Sequence, residues 1–130
     1  MSANSLTNIL YVEDDLDIQA VAQIALEVVG GYTLKTCSSG AEAIAAIEGG
    51  FVPDLLLLDV MMPNMDGPTT LAELRKMSTT ASTPVIFMTA KVQSSEQDYY
   101  FTLGAIGVIA KPFDPMSLSV QVRTLWEKVS

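Results

Sequence analysis

The sequence predicts a doubly wound α/β domain, in which helices cover both faces of a five-stranded parallel sheet. Five short apolar runs alternate with segments of helical character. The runs are nearly continuous in Val, Ile and Leu, which is typical of parallel strands buried on both faces. The chain has 130 residues, 49% of them hydrophobic, so we expect one domain, 1–130, with a core over about 8–129.

The five strands are predicted from their apolar content and their flanking residues. The second run alternates like a half-buried strand, and Pro53 precedes the third. The predicted strands are residues 8–12, 32–37, 54–58, 84–89 and 106–110.

The helices are predicted from apolar spacing and terminal signals. Six apolar residues between Ile18 and Val29 recur at helical spacing, and Ser39 and Glu42 have capping-box spacing. Pro68 suits a first helical turn, while glycines follow the first, second and fourth helices. The predicted helices are residues 16–29, 40–47, 68–77, 96–103 and 114–129, the last opened by Asp114-Pro115.

The composition excludes several classes of function. A net charge of −8 repels a phosphate backbone, so we expect no direct binding to nucleic acid. No apolar run approaches the roughly 18 residues needed to cross a bilayer. Residues 1–5 lack a secretory signal, and the single cysteine, Cys37, cannot form an intrachain disulfide. We therefore expect a cytoplasmic protein without membrane contact.

Charged residues follow three of the apolar runs. Asp59 follows four leucines, Glu13-Asp14 follow the first run, and Lys111 follows the fifth. Ligands of doubly wound sheets bind beyond the carboxyl ends of the strands, and for strand order 2-1-3-4-5 the binding point lies between strands one and three. Crowded carboxylates are costly without a cation. The pattern predicts a divalent metal site around a nucleophilic carboxylate.

The residue types favour magnesium over zinc. Hard cations such as Mg²⁺ prefer oxygen ligands, the chain has no histidine, and Cys37 lies on another strand. We assign Asp14 to the metal and Asp15 to the helix N-terminus, with Glu13 supporting the metal through water or hydrogen bonds. Mn²⁺ is an alternative ion.

Thr89 and Lys111 lie at the ends of the fourth and fifth predicted strands, and each can be interpreted as a structural or as a functional residue. Thr89 is either an ordinary β-branched strand residue or a hydroxyl donor to a phosphoryl oxygen. Lys111 is either a solvated charge or a cation that offsets Asp59 and a transferred phosphate. The bond before Pro112 is cis in only about one in twenty X-Pro cases, so residue physics alone does not choose that isomer.

These residues together resemble the receiver domains of two-component response regulators, the CheY-like family, over about residues 9–126. The matching motifs are an acidic pair, a strand end with its following loop, a Thr-Ala pair and a Lys-Pro-Phe triplet. They are Glu13-Asp14, residues 55–67, Thr89-Ala90 and Lys111-Pro112-Phe113. The resemblance implies a flavodoxin-like three-layer sandwich of strand order 2-1-3-4-5.

The resemblance also implies a function for the site. Asp59 would accept a phosphoryl group from a histidine kinase or a histidine phosphotransfer protein. Asp14, Asp59 and the Met61 backbone carbonyl would bind magnesium, while Lys111 and Thr89 would contact the phosphoryl oxygens. Such transfer depends mainly on positioning and charge neutralisation. The acyl phosphate is open to hydrolysis, so the domain would be a temporary switch.

The chain departs from the family pattern at two positions, and the resemblance implies a cis bond before Pro112. Many receivers carry Tyr or Phe at the position of Val108, and that ring swings inward on activation. Val108 has no ring and cannot make this movement. Glu13 replaces the commoner aspartate. Met61 and Lys91 flank the expected approach of hydrolytic water.

The fourth helix carries three consecutive aromatic residues, Tyr99, Tyr100 and Phe101. They span about 200° of the helix surface, so at least one ring is expected to be exposed. In receivers, the face formed by the fourth helix, fifth strand and fifth helix commonly binds a partner or a second copy, and we expect the same here. Trp126 is expected in the core.

Two alternatives remain beside a single-domain switch without an output domain. The chain is also compatible with a receiver module cut from a larger regulator or hybrid kinase. A Mg²⁺-dependent aspartyl phosphohydrolase is less favoured, because such enzymes place a second Asp two residues after the nucleophile, where this chain has Met61.

Overall fold

A computed structural model describes residues 5–129, and its sheet has five parallel strands in the order 2-1-3-4-5. The strands are β1 (Asn8–Val12), β2 (Thr33–Cys37), β3 (Leu55–Asp59), β4 (Val85–Thr89) and β5 (Ala105–Ala110). The helices are α1 (Leu16–Gln23), α2 (Gly40–Glu48), α3 (Gly67–Arg75), α4 (Ser94–Thr102) and α5 (Leu118–Glu127). The predicted fold class is confirmed.

Residues 1–4 and 130 lie outside the described residues. The expectation that the N-terminus is not a secretory signal falls mostly on that part, as do the two ends of the predicted domain. Within residues 5–129, no helix is both long and apolar enough to cross a membrane.

Two hydrophobic cores sandwich the sheet. Every residue of β3 and β4 is buried, because successive side chains alternate between the two faces and helices cover both. Tyr11, Leu57 and Trp126 lie in the core covered by α1 and α5, whereas Leu58 and Tyr100 lie in the core covered by α2, α3 and α4. Trp126 is 8% exposed, which confirms its predicted place in the core.

The first helix differs from the prediction of one α-helix over 16–29. It is α-helical to Gln23 and then π-helical over Ile24–Val29, with the Gly30 N–H donating to Ala25 O at 3.1 Å. Val21 and Val29 are 43% and 48% exposed, so the buried stripe is narrower than the apolar pattern indicates. A Cβ at Gly30 would lie 2.8 Å from Ser119 Cβ, so the end of this segment packs closely on α5.

Most other boundaries differ from the prediction by one or two residues; α4, for example, begins at Ser94 rather than at residue 96, and α3 ends at Arg75 rather than at residue 77. Two shifts have a visible cause, because side chains or turns use the backbone groups. The Asp54 carboxylate accepts hydrogen bonds from the N–H groups of Thr7 and Asn8, so β3 begins at Leu55 rather than at residue 54. Asp114 begins a turn, with its carbonyl accepting from Leu118 N–H at 3.0 Å, and α5 starts at Leu118.

The register of the strands brings their carboxyl ends to one edge. Val12 is paired with Leu58, Asp59 with Met88, and Thr89 with Ala110. The residues that directly follow β1 and β5 therefore emerge beside the last residues of β3 and β4, and this edge holds the polar cluster described next.

Candidate functional site

The cluster consists of three carboxylates and one ammonium group. Glu13 and Asp59 are 1% and 2% exposed, whereas Asp14 is exposed. The Lys111 ammonium lies 2.8 Å from Glu13 Oε1 and 3.1 Å from Asp59 Oδ1. The structure thus brings together four predicted site residues from the ends of β1, β3 and β5.

Adjacent acidic residues after β1 occupy different environments. Glu13 continues the strand through its N–H, which donates to Cys37 O at 3.0 Å, and its side chain is buried. Asp15 caps α1 by accepting from the N–H groups of Asp17 and Ile18 at 2.9 and 3.1 Å, as predicted from its position. The Asp15 N–H also donates to Glu13 Oε2 at 3.2 Å.

Gln19 secures this loop, a role that no motif in the sequence indicates. Its side-chain amide donates to the Glu13 backbone carbonyl and, at 2.9 Å, to Ser38 Oγ. The contact joins the loop after β1 to the loop after β2. It fixes the backbone from which the Glu13 and Asp14 side chains project.

The donor set fits a hard divalent cation. One carboxylate oxygen each from Glu13, Asp14 and Asp59 can be chosen so that all three lie within 4.8 Å of one another. These are oxygen donors with a combined negative charge, which Mg²⁺ prefers, and the exposed position of Asp14 leaves a side for water ligands.

Burial and charge shift two pKa values in the cluster. Burial, reinforced by the Asp59 carboxylate, raises the pKa of Glu13 to about 7 although Lys111 opposes the shift. Burial alone would lower the pKa of Lys111, but hydrogen bonds and charges from Glu13 and Asp59 outweigh it and raise that pKa. Lys111 therefore stays charged at neutral pH.

Thr89 lies at the same edge and is 1% exposed. Its Oγ1 accepts a hydrogen bond from Lys91 N–H at 3.0 Å, which leaves its own O–H able to donate. Its carbonyl accepts from Lys111 N–H at 2.9 Å. Thr89 thus connects the ends of β4 and β5 to the loop before α4.

Gly67 packs directly against the backbone of the acidic strand end, a contact that sequence reasoning missed. A Cβ at Gly67 would lie 2.6 Å from the Asp59 carbonyl oxygen and 3.0 Å from Val60 Cα. Its N–H donates to Val60 O at 2.9 Å. Only glycine permits this approach without moving the end of β3.

The other predicted residues surround the cluster. Met61 is 66% exposed, Val108 is partly buried and packs on the core covered by α2, α3 and α4, and the Lys111–Pro112 peptide bond is cis. An apolar groove of about 480 Å³ opens beside Lys111. Its lining residues are Asp17, Ile18, Val21, Ala90, Lys111, Pro112 and Phe113.

The aromatic triplet of α4 divides between surface and core. Tyr99 and Phe101 are 52% and 47% exposed, so the expectation of an exposed ring is confirmed. Tyr100 is buried, with its ring centroid 5.2 Å from that of Phe87.

Comparisons with known proteins agree with this geometry. The family model described as the response regulator receiver domain matches residues 9–123. The response regulator SaeR of Staphylococcus aureus (strain USA300) is 34% identical over 120 residues, which cover 92% of this chain and 50% of SaeR. The chain spans about half the length of the curated relatives it matches.

Solved structures show the same likeness. The chemotaxis protein CheY4 of Vibrio cholerae is similar with a TM-score of 0.83 and 26% identity, covering 93% of this chain and 99% of CheY4. A response regulator of Chloroflexus aurantiacus has a TM-score of 0.81 and 30% identity, with 95% of this chain and 99% of the other covered. The chain belongs to the response regulator receiver domain family.

Proposed function

We propose that this domain is a phosphorylation-dependent signalling switch in which Asp59 accepts a phosphoryl group from a phosphohistidine. The observation that carries the proposal is the Lys111 ammonium held 3.1 Å from the buried Asp59 carboxylate, with Asp14 in the same cluster. A cation beside the acceptor offsets the charge that gathers on the equatorial oxygens during transfer.

In the proposed reaction, an Asp59 oxygen attacks phosphorus while the P–N bond to the donor imidazole breaks. The imidazole nitrogen keeps the electron pair and takes a proton from solvent. Lys111 and the Thr89 hydroxyl donate hydrogen bonds to the phosphoryl oxygens. Water later cleaves the acyl phosphate, which restores the carboxylate and releases inorganic phosphate. The domain thereby assists its own phosphorylation and dephosphorylation without acting on a separate substrate.

Glu13, Asp14, Asp59 and the Met61 backbone carbonyl are the proposed binding residues for Mg²⁺, with Mn²⁺ as a substitute. When bound, the ion supplies positive charge next to the transferred group. The three oxygen donors within 4.8 Å support this assignment. Asp14 is the exposed member of the set, so Mg²⁺ would reach the site from solvent on the Asp14 side.

The proposed phosphodonor is a sensor histidine kinase or a histidine phosphotransfer protein. The apolar groove between Ile18 of α1 and Pro112-Phe113 supports this, because it lies beside Lys111 and offers a contact surface next to the acceptor. A donor that binds there would bring its phosphohistidine to Asp59. The kinase pathway implies a cytoplasmic location.

The proposed output surface is the face of α4, β5 and α5, which would bind a downstream protein or a second copy of the domain. Tyr99 and Phe101 supply exposed aromatic area on α4, on either side of the buried Tyr100. Many receivers have an aromatic ring that rotates on activation where this chain has Val108. We therefore propose that Thr89 links the site to that surface, by moving together with the loop whose Lys91 N–H donates to its hydroxyl. We propose that residues 1–130 act as one receiver domain, alone or within a larger regulator.

The test is incubation with Mg²⁺ and acetyl phosphate, followed by intact mass measurement. One phosphoryl group per chain is expected. Asp59→Asn should abolish labelling, and Asp14→Ala should weaken it, because the first removes the acceptor and the second a metal ligand. Asp98→Asn is the matched control, since Asp98 is an exposed carboxylate of α4 away from the cluster. Labelling that persists in Asp59→Asn, or that does not need the metal, would refute the proposal.

A further inference from the structure

Gln19 is a partly buried residue of α1 that the proposed reaction does not use, although its side chain reaches the acidic loop. Its amide nitrogen carries two hydrogens, and two acceptors lie within hydrogen-bond distance. One is the Glu13 backbone carbonyl and the other, at 2.9 Å, is Ser38 Oγ. These two hydrogen bonds, called here the Gln19 bridge, join the loop after β1 to the loop after β2.

The bridge holds the peptide group that joins two proposed metal ligands, because the Glu13 carbonyl belongs to the bond between Glu13 and Asp14. A peptide group is planar, so a hydrogen bond that fixes its orientation restricts the backbone on both sides of it. Glu13 has further supports, since its N–H donates to Cys37 O at 3.0 Å and its carboxylate contacts Lys111. Asp14 is exposed, so the direction of its side chain depends more on the backbone.

The other end of the bridge is fixed to the start of α2. The Ser38 N–H donates to Glu42 Oε1 at 2.8 Å, and the Glu42 N–H donates to Ser39 Oγ, the cap of that helix, at 3.1 Å. Ser38 is therefore held by α2 while Gln19 is held in α1. The Glu13–Asp14 peptide is thus tied to two helices rather than to a free loop.

We propose that Gln19 is a positioning residue of the metal site, whose bridge keeps the Glu13 and Asp14 carboxylates beside that of Asp59 and thereby raises the affinity for Mg²⁺. The inference rests on the proposed function, which assigns these carboxylates to the metal. Oxygens of the three groups lie within 4.8 Å of one another, and their repulsion favours an Asp14 that turns away once the bridge is lost. Partners that orient metal ligands contribute about 10–100-fold in affinity. The competing interpretation is that Gln19 only stabilises the fold.

Gln19→Met separates these interpretations, because methionine keeps the length and helix propensity of glutamine and removes both donors. The affinity for Mn²⁺ is measured from the EPR signal of the free ion, and that for Mg²⁺ by competition. We expect both ions to bind about tenfold more weakly. Gln23→Met is the matched control, since Gln23 lies on the same helix and its amide donates to Glu27 Oε1 at 3.1 Å in an exposed contact. Its affinities should equal those of the wild type.

Labelling by acetyl phosphate gives a second readout. In Gln19→Met, labelling should be slow at low Mg²⁺ and should reach the wild-type rate at saturating Mg²⁺, because the acceptor and Lys111 are unchanged. Labelling that stays slow at saturation would overturn the inference. A lowered urea midpoint with wild-type affinity for both ions would overturn it as well, since Gln19 would then act on the fold alone.

Ser38→Ala tests the bridge from its other end and leaves α1 unchanged, so it serves even if Gln19→Met folds poorly. It should weaken Mn²⁺ binding about threefold, as for one lost hydrogen bond. Added to Gln19→Met, it should cause no further loss, because the two residues act through one contact. Wild-type affinity in both single variants, or additive losses, would overturn the inference. A wild-type protein that binds neither ion would overturn the proposed metal site itself, and this inference with it.

Discussion

The ammonium nitrogen of Lys111 lies closer to Glu13 Oε1, at 2.8 Å, than to Asp59 Oδ1, at 3.1 Å. The two bonded residues, Lys111 and Glu13, are 98 positions apart in sequence and follow strands that are not neighbours in the sheet. The lysine therefore reaches over the ends of β4 and β3 and shares its charge between the acceptor and the carboxylate beside it. Glu13 is as much a part of the resting ion pair as Asp59.

Lys111→Ala should destabilise the folded protein at neutral pH by about 3 kcal/mol, because it leaves two buried carboxylates facing each other without their cation. The lysine side chain is only 17% exposed, so solvent screens this loss little. Urea unfolding checks the prediction. Added Mg²⁺ should restore part of the stability.

Lys76→Ala is the control for this experiment. The Lys76–Glu73 pair has a similar distance, 2.9 Å, but its side chains are 71% and 39% exposed. Exposed pairs contribute less than about 1 kcal/mol, so this variant should unfold almost as the wild type does. Equal losses in the two variants would contradict the importance assigned to the buried cluster.

The metal-free protein should lose stability as the pH rises from 4.5 toward 7, because of Glu13. Its pKa is raised from 4.5 to about 7, so in this window the folded state keeps a proton that the unfolded chain has released. The folded state then binds more protons, and the free energy of unfolding falls with rising pH. Urea unfolding in the presence of a chelator, at several pH values across the window, measures the slope.

Glu13→Gln isolates that contribution, since glutamine does not titrate. Its slope across the same window should be less negative than that of the wild type. Parallel slopes would show that Glu13 releases its proton at an ordinary pH in the folded protein, and the raised pKa would be wrong.

Gly67→Ala should impair both stability and phosphorylation. The added Cβ would lie 2.6 Å from the Asp59 carbonyl oxygen, so the end of β3 must shift to accept it. Overpacking of this kind costs about 1–3 kcal/mol, and the displaced acceptor should label more slowly with acetyl phosphate. Unfolding and time-resolved intact mass measure the two effects.

Gly49→Ala is the matched glycine substitution. Gly49 ends α2 at an ordinary φ of −79°, and the nearest atom to its added Cβ would be Ala45 O at 3.3 Å. We expect its labelling rate to equal that of the wild type. If Gly67→Ala also labels at the wild-type rate, the contact with Asp59 does not position the acceptor.

The fold was predictable where apolar pattern and burial agree. The continuous apolar runs 55–58 and 85–88 became strands with every residue buried, as parallel strands between two helical layers require. The apolar pattern predicted the wrong boundaries where backbone groups form hydrogen bonds outside regular α-helices and strands. The π-helical hydrogen bonds of Ile24–Val29 leave no mark in the spacing of apolar residues, and the bonds from Asp54 to the start of β1 join positions more than 40 residues apart.

The site was predictable to the extent that strand ends determine it. Asp59, Asp14 and Lys111 meet because parallel strands end at one edge, which is a property of topology. Gln19 was not predictable, since a glutamine in a helix usually faces solvent and its bond to Ser38 depends on the approach of two loops. Nor did the sequence indicate that Glu13 would contact Lys111 directly.

α1 and the π-helical segment that follows it form one continuous helix, and its two ends are held at distant parts of the domain. Asp15 caps the start of α1 beside the acidic loop, and Gly30, at the end of the π-helical segment, lies against Ser119 of α5 with no room for a side chain. A deletion that converted Ile24–Val29 into regular α-helix would leave one of these anchors out of place. The π-helical segment thus sets the distance between Asp15 and Gly30, so the number of its residues matters as much as their identity.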